Sequence, residues 1–468
     1  MRDVDVIVIG SGQGGVPFAV KMSYRGKRTA LIERSDLGGS CVNFGCTPSK
    51  AFLGSAQAIG RARHAAGLGA ECRVKAHFGG VMARVRDIRD RWRQSVREYV
   101  EDSAVELVRA EARFVGERTV EAGGEQYRAP LVLIDTGRRS RIPPIEGLQD
   151  GPYLSAENFF ELTEMPDRTA VLGAGYVGLE LGQGLARLGS RVTIIDRADH
   201  ALVLEEPQVG EAVAQSLKRD GIDLRLKTTI ERVRRDRGKV QMTLSTGGTL
   251  EADAILVAAG RAPNTEALDL ARTGVETDED GCVRVNQHLE TACEGVYAIG
   301  DVAGQPPFTH VSWEDHRRVL GVLDGESRRR DDRAVGYAVF TDPQVGRAGL
   351  TLDQARRRGL AVREVSMPVA ETARGIEWGQ TIGFYRVVVE EPSGRIIGAT
   401  LVGDEAGELV SIFLVMMEGG DDWRVMERTM NIHPTYAEGI PILKQEPAQR
   451  ELHHLLFFRS GWPHRQCT

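Results

Sequence analysis

The sequence predicts an α/β chain built from two copies of a strand–glycine turn–helix unit, with a separate α+β domain behind them. Three observations carry that reading. Apolar, β-branched runs at 4–9 and 169–172 each meet glycines spaced G-x-G-x-x-G, and each turn leads into a helix of small residues. In both copies an acid, Glu33 or Asp196, stands 23 positions after the first glycine. Beyond a charged stretch at 324–333, strands at 381–390 and 396–402 mix with a helix near 405–419.

In the first copy, Val4 to Ile9 reads as a buried strand and Gly10, Gly12, Gly14 and Gly15 form the turn. The first glycine makes the tight bend, the second lets backbone approach a pyrophosphate, and the last lets helix and strand pack closely. Glu33 ends the next strand, where a carboxylate takes ribose hydroxyls. In the second copy, Gly173, Gly175, Tyr176, Val177 and Gly178 repeat the turn, and Asp196 repeats the acid. Two complete fingerprints mean two Rossmann-like dinucleotide-binding domains. A carboxylate at Asp196 repels a ribose 2′-phosphate and so favours NADH, while Arg197 beside it keeps NADPH open. Three further glycine turns follow strand ends and suit a polar cofactor group: Thr136-Gly137, Gly260-Arg261 and Gly300-Asp301.

Between the copies lies Gly39-Ser40-Cys41-Val42-Asn43-Phe44-Gly45-Cys46-Thr47-Pro48-Ser49-Lys50, with Pro48 where a helix can begin. Two cysteines five apart can close into a small, reducible ring, and redox work needs one sulfur stabilised as a thiolate. Taken alone, the pair equally fits two buried structural thiols. Farther on, Val81, Val85, Ile88, Trp92, Val96 and Tyr99 recur at spacings of three and four, predicting the apolar stripe of a long scaffold helix.

A chain of 468 residues suggests about three domains of ~150 residues. A net charge of −6 argues against nucleic acid or an anionic membrane as partner. No signal peptide precedes the first strand, and no apolar run approaches the ~18 residues of a membrane span. Six cysteines in this length do not make a disulfide scaffold. The expected location is cytoplasmic. Cys72, Cys282 and Cys293 read as structural. His433 and Glu438 stand in the stretch His-Pro-Thr-Tyr-Ala-Glu, and on local sequence a lone histidine reads as structural.

Taken together, Gly10–Gly15, Gly39–Lys50, Gly173–Glu180, Ala298–Asp301 and His433–Glu438 resemble, in order and spacing, the pyridine nucleotide–disulfide oxidoreductases. That is the family of glutathione reductase, dihydrolipoamide dehydrogenase and mercuric reductase. The resemblance implies FAD on the first fingerprint, NAD(P)H on the second, and a homodimer formed by the C-terminal domain. It implies 1–147 and 271–335 as parts of the FAD-binding region, 148–270 for NAD(P), and 336–468 for the dimer interface. It makes Cys41 the thiol facing substrate, Cys46 the thiolate against the flavin, and Lys50–Glu180 an ion pair beside it. Tyr176 becomes the gate over the nicotinamide, and Asp301 the partner of the ribityl chain. His433, oriented by Glu438, becomes the acid–base group acting on the second copy's Cys41.

The stretch 308–317 resembles the mercuric-reductase-like branch, whose substrates are a small disulfide or a soft metal ion such as Hg(II) or Cu(II). Two features depart from a true mercuric reductase. The tail holds one thiol, Cys467, instead of a vicinal pair, and no metal-binding domain precedes Gly10. The His433/Glu438 pair belongs instead to disulfide reductases of the dihydrolipoamide dehydrogenase or glutathione reductase kind. The two arginines that glutathione reductase places around a 2′-phosphate fall here on Asp196 and Leu202. Cys467, with His464 near it, is a candidate lone soft ligand. A flavoprotein that only senses NADH is the alternative from another class, and the six retained chemical residues argue against it.

Overall fold

The computed structural model describes residues 1–442. The chain forms two compact units, one ending at Arg333 and one beginning at Ala334.

The first unit holds two parallel sheets. In one, strand 6–9 lies between 29–33 and 131–134, flanked by 106–109 and 296–298. Val6 and Val8 face one layer of core and Ile7 and Ile9 the other, so both faces of the strand are covered. The chain leaves strand 6–9 into helix α1 (Gly15–Tyr24), and after strand 29–33 come α2 (Gly39–Asn43), α3 (Cys46–Arg63) and α4 (Phe78–Glu101). Because strand order reverses around 6–9, a crevice opens at the carboxyl ends of these strands. The turns at Gly10, Glu33, Asp135–Gly137 and Gly300–Asp301 all collect there.

The second parallel sheet, ordered 223–225, 191–195, 168–172, 254–257, carries α5 (Tyr176–Leu188) and α6 (Pro207–Arg219). A short antiparallel pair, 138–140 with 261–263, ties the two sheets and sets Arg261 beside Ser140. Helix α7 (Thr309–Leu323) closes the unit against α1. The second unit is a five-stranded antiparallel sheet covered by helix Ala406–Gly419.

Two expectations shift. Helix α3 begins at Cys46, so Pro48 occupies its third position, where a missing N–H breaks no internal bond. The predicted stripe of α4 is not the buried one. Trp92 is 56% exposed and Tyr99 41%, whereas Phe78, Met82, Val85, Arg89 and Val100 are buried. The helix is turned so that it packs on α1, α2, α3 and the turn 159–161. Arg89 tolerates burial there because its guanidinium pairs with Glu161 and Asp90.

Of the cysteines read as structural, Cys282 and Cys293 are buried and Cys72 is exposed. No helix among the described residues is long and apolar enough to cross a membrane. Cys467 and His464 lie outside the described residues.

Candidate functional site

Each copy of the fingerprint uses its acid in the same way. Glu33 accepts from the backbone N–H of Ser11 at 2.9 Å and of Ser35 at 2.7 Å. Asp196 accepts from Ala174 N–H at 2.6 Å and Ala198 N–H at 2.8 Å. The acid therefore clamps the residue after the first glycine to the residue two beyond itself, rigidifying the turn before any ribose arrives. Gly10 and Gly173 take φ of +99° and +115°, with their strand neighbours' carbonyls where a Cβ would stand. No side chain fits there.

The crevice of the first sheet is a cavity of about 800 Å³. Gly10, Gly12, Glu33, Gly39, Ser40, Cys41, Thr136, Gly137, Arg261 and Asp301 line it. Gly14, Gly15 and Gly300 do not line it. A Cβ on Gly14 or Gly300 would strike Ser312, and one on Gly15 the Gly10 carbonyl, so these glycines serve close packing beneath it. Gly175, Tyr176 and Val177 stand at the amino end of α5, and Asp196, Arg197 and Gly260 follow strands 191–195 and 254–257 of the second sheet, with open space around the Cβ position of Gly175. The first cavity has the volume, backbone approach and polar ends that FAD requires. Arg261 donates to Asp301 Oδ2 at 2.6 Å, and its charge also acts on Tyr176, whose phenol is pushed up by burial. Tyr176 packs against Phe308 with ring centres 5.9 Å apart.

Cys41 in α2 and Cys46 at the start of α3 stand as two free thiols that shift each other's titration in opposite directions. Their surroundings separate them chemically. The neighbouring Cys41 thiol draws Cys46 down to about 6, helped by the Thr309 hydroxyl and the Lys50 ammonium. Cys46 and burial push Cys41 up. The surroundings thus lower one sulfur and raise the other, so that Cys46 ionises more readily than Cys41. The amino end of α3 favours the charge at Cys46. Burial opposes charge on Lys50, and Glu180, 2.8 Å away and 4% exposed, more than reverses this.

In the second unit, Glu438 Oε2 lies 2.7 Å from His433 Nδ1, and the imidazole is mostly exposed. Met430 (94% exposed) and Ile432 (77%) precede it.

Local pattern missed three residues of the first cavity. Thr309 touches Cys46 at 2.9 Å. Asp135 and Ser312 meet beneath the glycine turn at 3.1 Å. Asp135 adjoined the predicted Thr136-Gly137 turn, which is the signal that was available for it.

Comparison with known proteins agrees with this geometry. The family model described as pyridine nucleotide-disulphide oxidoreductase matches residues 4–315, and the dimerisation domain of the same family matches 335–443. The chain is 31% identical over 446 residues to a mercuric reductase of Staphylococcus aureus, covering 94% of this chain and 82% of that protein. It is 33% identical to a dihydrolipoyl dehydrogenase of Thermus scotoductus, covering 94% and 96%. Among solved structures, the Cu(II) complex of the HOCl-induced flavoprotein disulfide reductase RclA from Escherichia coli superposes with a TM-score of 0.86. That match is 29% identical and covers 95% of this chain and 99% of that one. Members of this family bind FAD and a pyridine nucleotide. With both family models matched along most of its length, the chain is an oxidoreductase of the pyridine nucleotide–disulphide oxidoreductase family.

Proposed function

We propose that this protein uses NADH to reduce a small disulfide or a soft metal ion through the Cys41–Cys46 pair. The observation that carries the reading is the placement of the two thiols: Cys41 lines the first cavity, and Cys46 opens α3 with the Thr309 hydroxyl 2.9 Å from its sulfur, surroundings that lower Cys46 and raise Cys41. FAD, when bound, takes a hydride from the nicotinamide and supplies the electron pair that opens the Cys41–Cys46 disulfide. The residues of the chain manage the rest. Glu180 holds the Lys50 ammonium in place, and that ammonium favours a thiolate at Cys46 while the Glu180 carboxylate opposes it. Cys41 gives up its proton, attacks one sulfur of the substrate, and the leaving thiolate takes a proton from an acid. Cys46 then attacks Cys41, re-forming the disulfide and releasing the second thiol. The second thiolate also takes up a proton, so the net change converts one disulfide, one NADH and one proton into two thiols and NAD+.

His433 suits the acid–base role, because its Glu438 partner, 2.7 Å away, orients the ring. Its exposure within one chain, on a domain of the dimerisation family, supports the resemblance's reading that it serves the second copy's Cys41. This pair favours a disulfide substrate. The Cu(II) complex of RclA favours the metal ion as a second reading, since a thiolate pair also ligates soft metals. Asp196 favours NADH, as an acid at the ribose position repels a 2′-phosphate. The working assembly is proposed to be a homodimer in the cytoplasm.

The test is anaerobic. The protein is reduced with NADH or NADPH while the long-wavelength thiolate–flavin absorbance is followed, and small disulfides or Hg(II) and Cu(II) are then added. Loss of the band with a disulfide, slowed in His433→Ala, supports the disulfide reading. Sustained NADH oxidation with the metal alone supports the metal reading. An unchanged spectrum in Cys46→Ser overturns the assignment of Cys46.

A further inference from the structure

Asp135 follows strand 131–134 and is buried at the floor of the FAD cavity. Its Oδ2 accepts from the Gly15 N–H at 2.7 Å, and its Oδ1 from the Ser312 hydroxyl at 3.1 Å. A Cβ on Gly12 would stand 2.5 Å from Oδ2, so the carboxyl lies directly against the glycine turn. Gly15 opens α1, so its N–H is one of the helix's unpaired amino-terminal donors, lying beneath the cavity and not on its wall. Here a side-chain acid already occupies that donor.

The surrounding charges offer the acid no relief. On the segment Gly300–Ala303, Asp301 adds negative potential even with Arg261 2.6 Å away. On α7, Asp315 is paired with Arg333, and Arg318 with Asp332. Lys21, the charged residue of α1, is engaged by His316 at 3.2 Å. Glu33 is held by Ser11 and Ser35. Among the described residues no cation pairs with Asp135. Burial dominates and pushes its carboxyl up to about 7, with Gly15 and Ser312 pulling it down and Asp301 pushing it up.

A pyrophosphate brings two further negative charges to this turn, and an ionised Asp135 repels them. We propose that Asp135 is protonated when FAD is bound, which makes FAD retention a proton-linked equilibrium. In the neutral form one oxygen still accepts from Gly15, and the other becomes a donor toward Ser312 or a phosphate oxygen. Binding takes up one proton when it starts from the ionised acid. Affinity is therefore constant at low pH and falls as pH rises past the titration of the empty site.

The test measures the FAD dissociation constant of the oxidised protein, in which the thiols do not titrate. Free FAD is read by its fluorescence from about pH 6 to about pH 9. The expected result is weakening by about tenfold per pH unit above neutrality in the wild type, and a flat profile in Asp135→Asn. A flat wild-type profile, or the same slope in the variant, overturns the proposal. Should Asp135→Asn fail to fold, calorimetry of the wild type decides. Titration at about pH 8 in two buffers of different ionisation enthalpy is expected to show uptake of about one proton per FAD. No uptake overturns the proposal. The inference concerns cofactor binding only, so its failure leaves the substrate reading intact.

Discussion

The hydroxyl of Thr309 lies 2.9 Å from the sulfur of Cys46, across 263 residues of sequence. Thr309 is the first residue of α7 and Cys46 the first of α3, so two helix amino ends meet at one sulfur. With Cys46 ionised, the hydroxyl is the donor, and a hydrogen bond to a charged acceptor is stronger than a neutral one.

Thr309→Val keeps the shape and removes the donor. The Cys46 thiol is expected to titrate about 1 unit higher than in the wild type, while Thr309→Ser restores the original value. The readout is the thiolate–flavin absorbance of the reduced protein against pH. In the wild type that absorbance is present above about 6 and lost as pH falls through it, because the thiol is held below its ordinary range. An identical titration in the valine variant would remove Thr309 from the site.

Lys50 and Glu180 are unequal partners. Lys50→Met takes the cation from a carboxylate that is 4% exposed, whereas Glu180→Gln leaves an ammonium on a side chain 35% exposed. The lysine variant is expected to lose about 3 kcal/mol of stability and the glutamine variant less, since the ammonium keeps some water. Thermal unfolding of the two proteins checks the order. Lys50→Met is also expected to raise the Cys46 titration, because a favourable charge is lost beside the thiolate.

His433→Ala is expected to slow disulfide turnover by about 10²- to 10⁴-fold and to leave reduction by NADH unchanged. Glu438→Gln is expected to fall between the wild type and His433→Ala, keeping a partner for Nδ1 but holding the ring less firmly. Stopped-flow separation of the two half-reactions checks this. Equal slowing of both halves would assign the pair a structural role.

Much of the fold was legible because its signals are local. A strand, a tight glycine turn and an acid at the next strand's end lie within one short stretch, and backbone sterics leave few ways to satisfy all three. The repeat at Gly173 and Asp196 therefore read as clearly as that at Gly10 and Glu33. The Cys41–Cys46 spacing was legible for the same reason. The stripe of α4 was not, since 3.6-residue periodicity marks a face without saying which neighbour turns it inward. Val85 fell on both lines, but Trp92 and Arg89 exchanged places.

The sequence by itself determined two dinucleotide folds, a close pair of cysteines and a third domain with a histidine and a glutamate five residues apart. Only the tertiary structure decided which groups surround the two sulfurs and what lies beneath the first glycine turn. Thr309 reaches Cys46, and Ser312 reaches Asp135, because α7 returns to the crevice after the whole second sheet has been built. Strand order and helix packing place those atoms, through burial summed over many residues, and no short motif encodes where a distant helix will end.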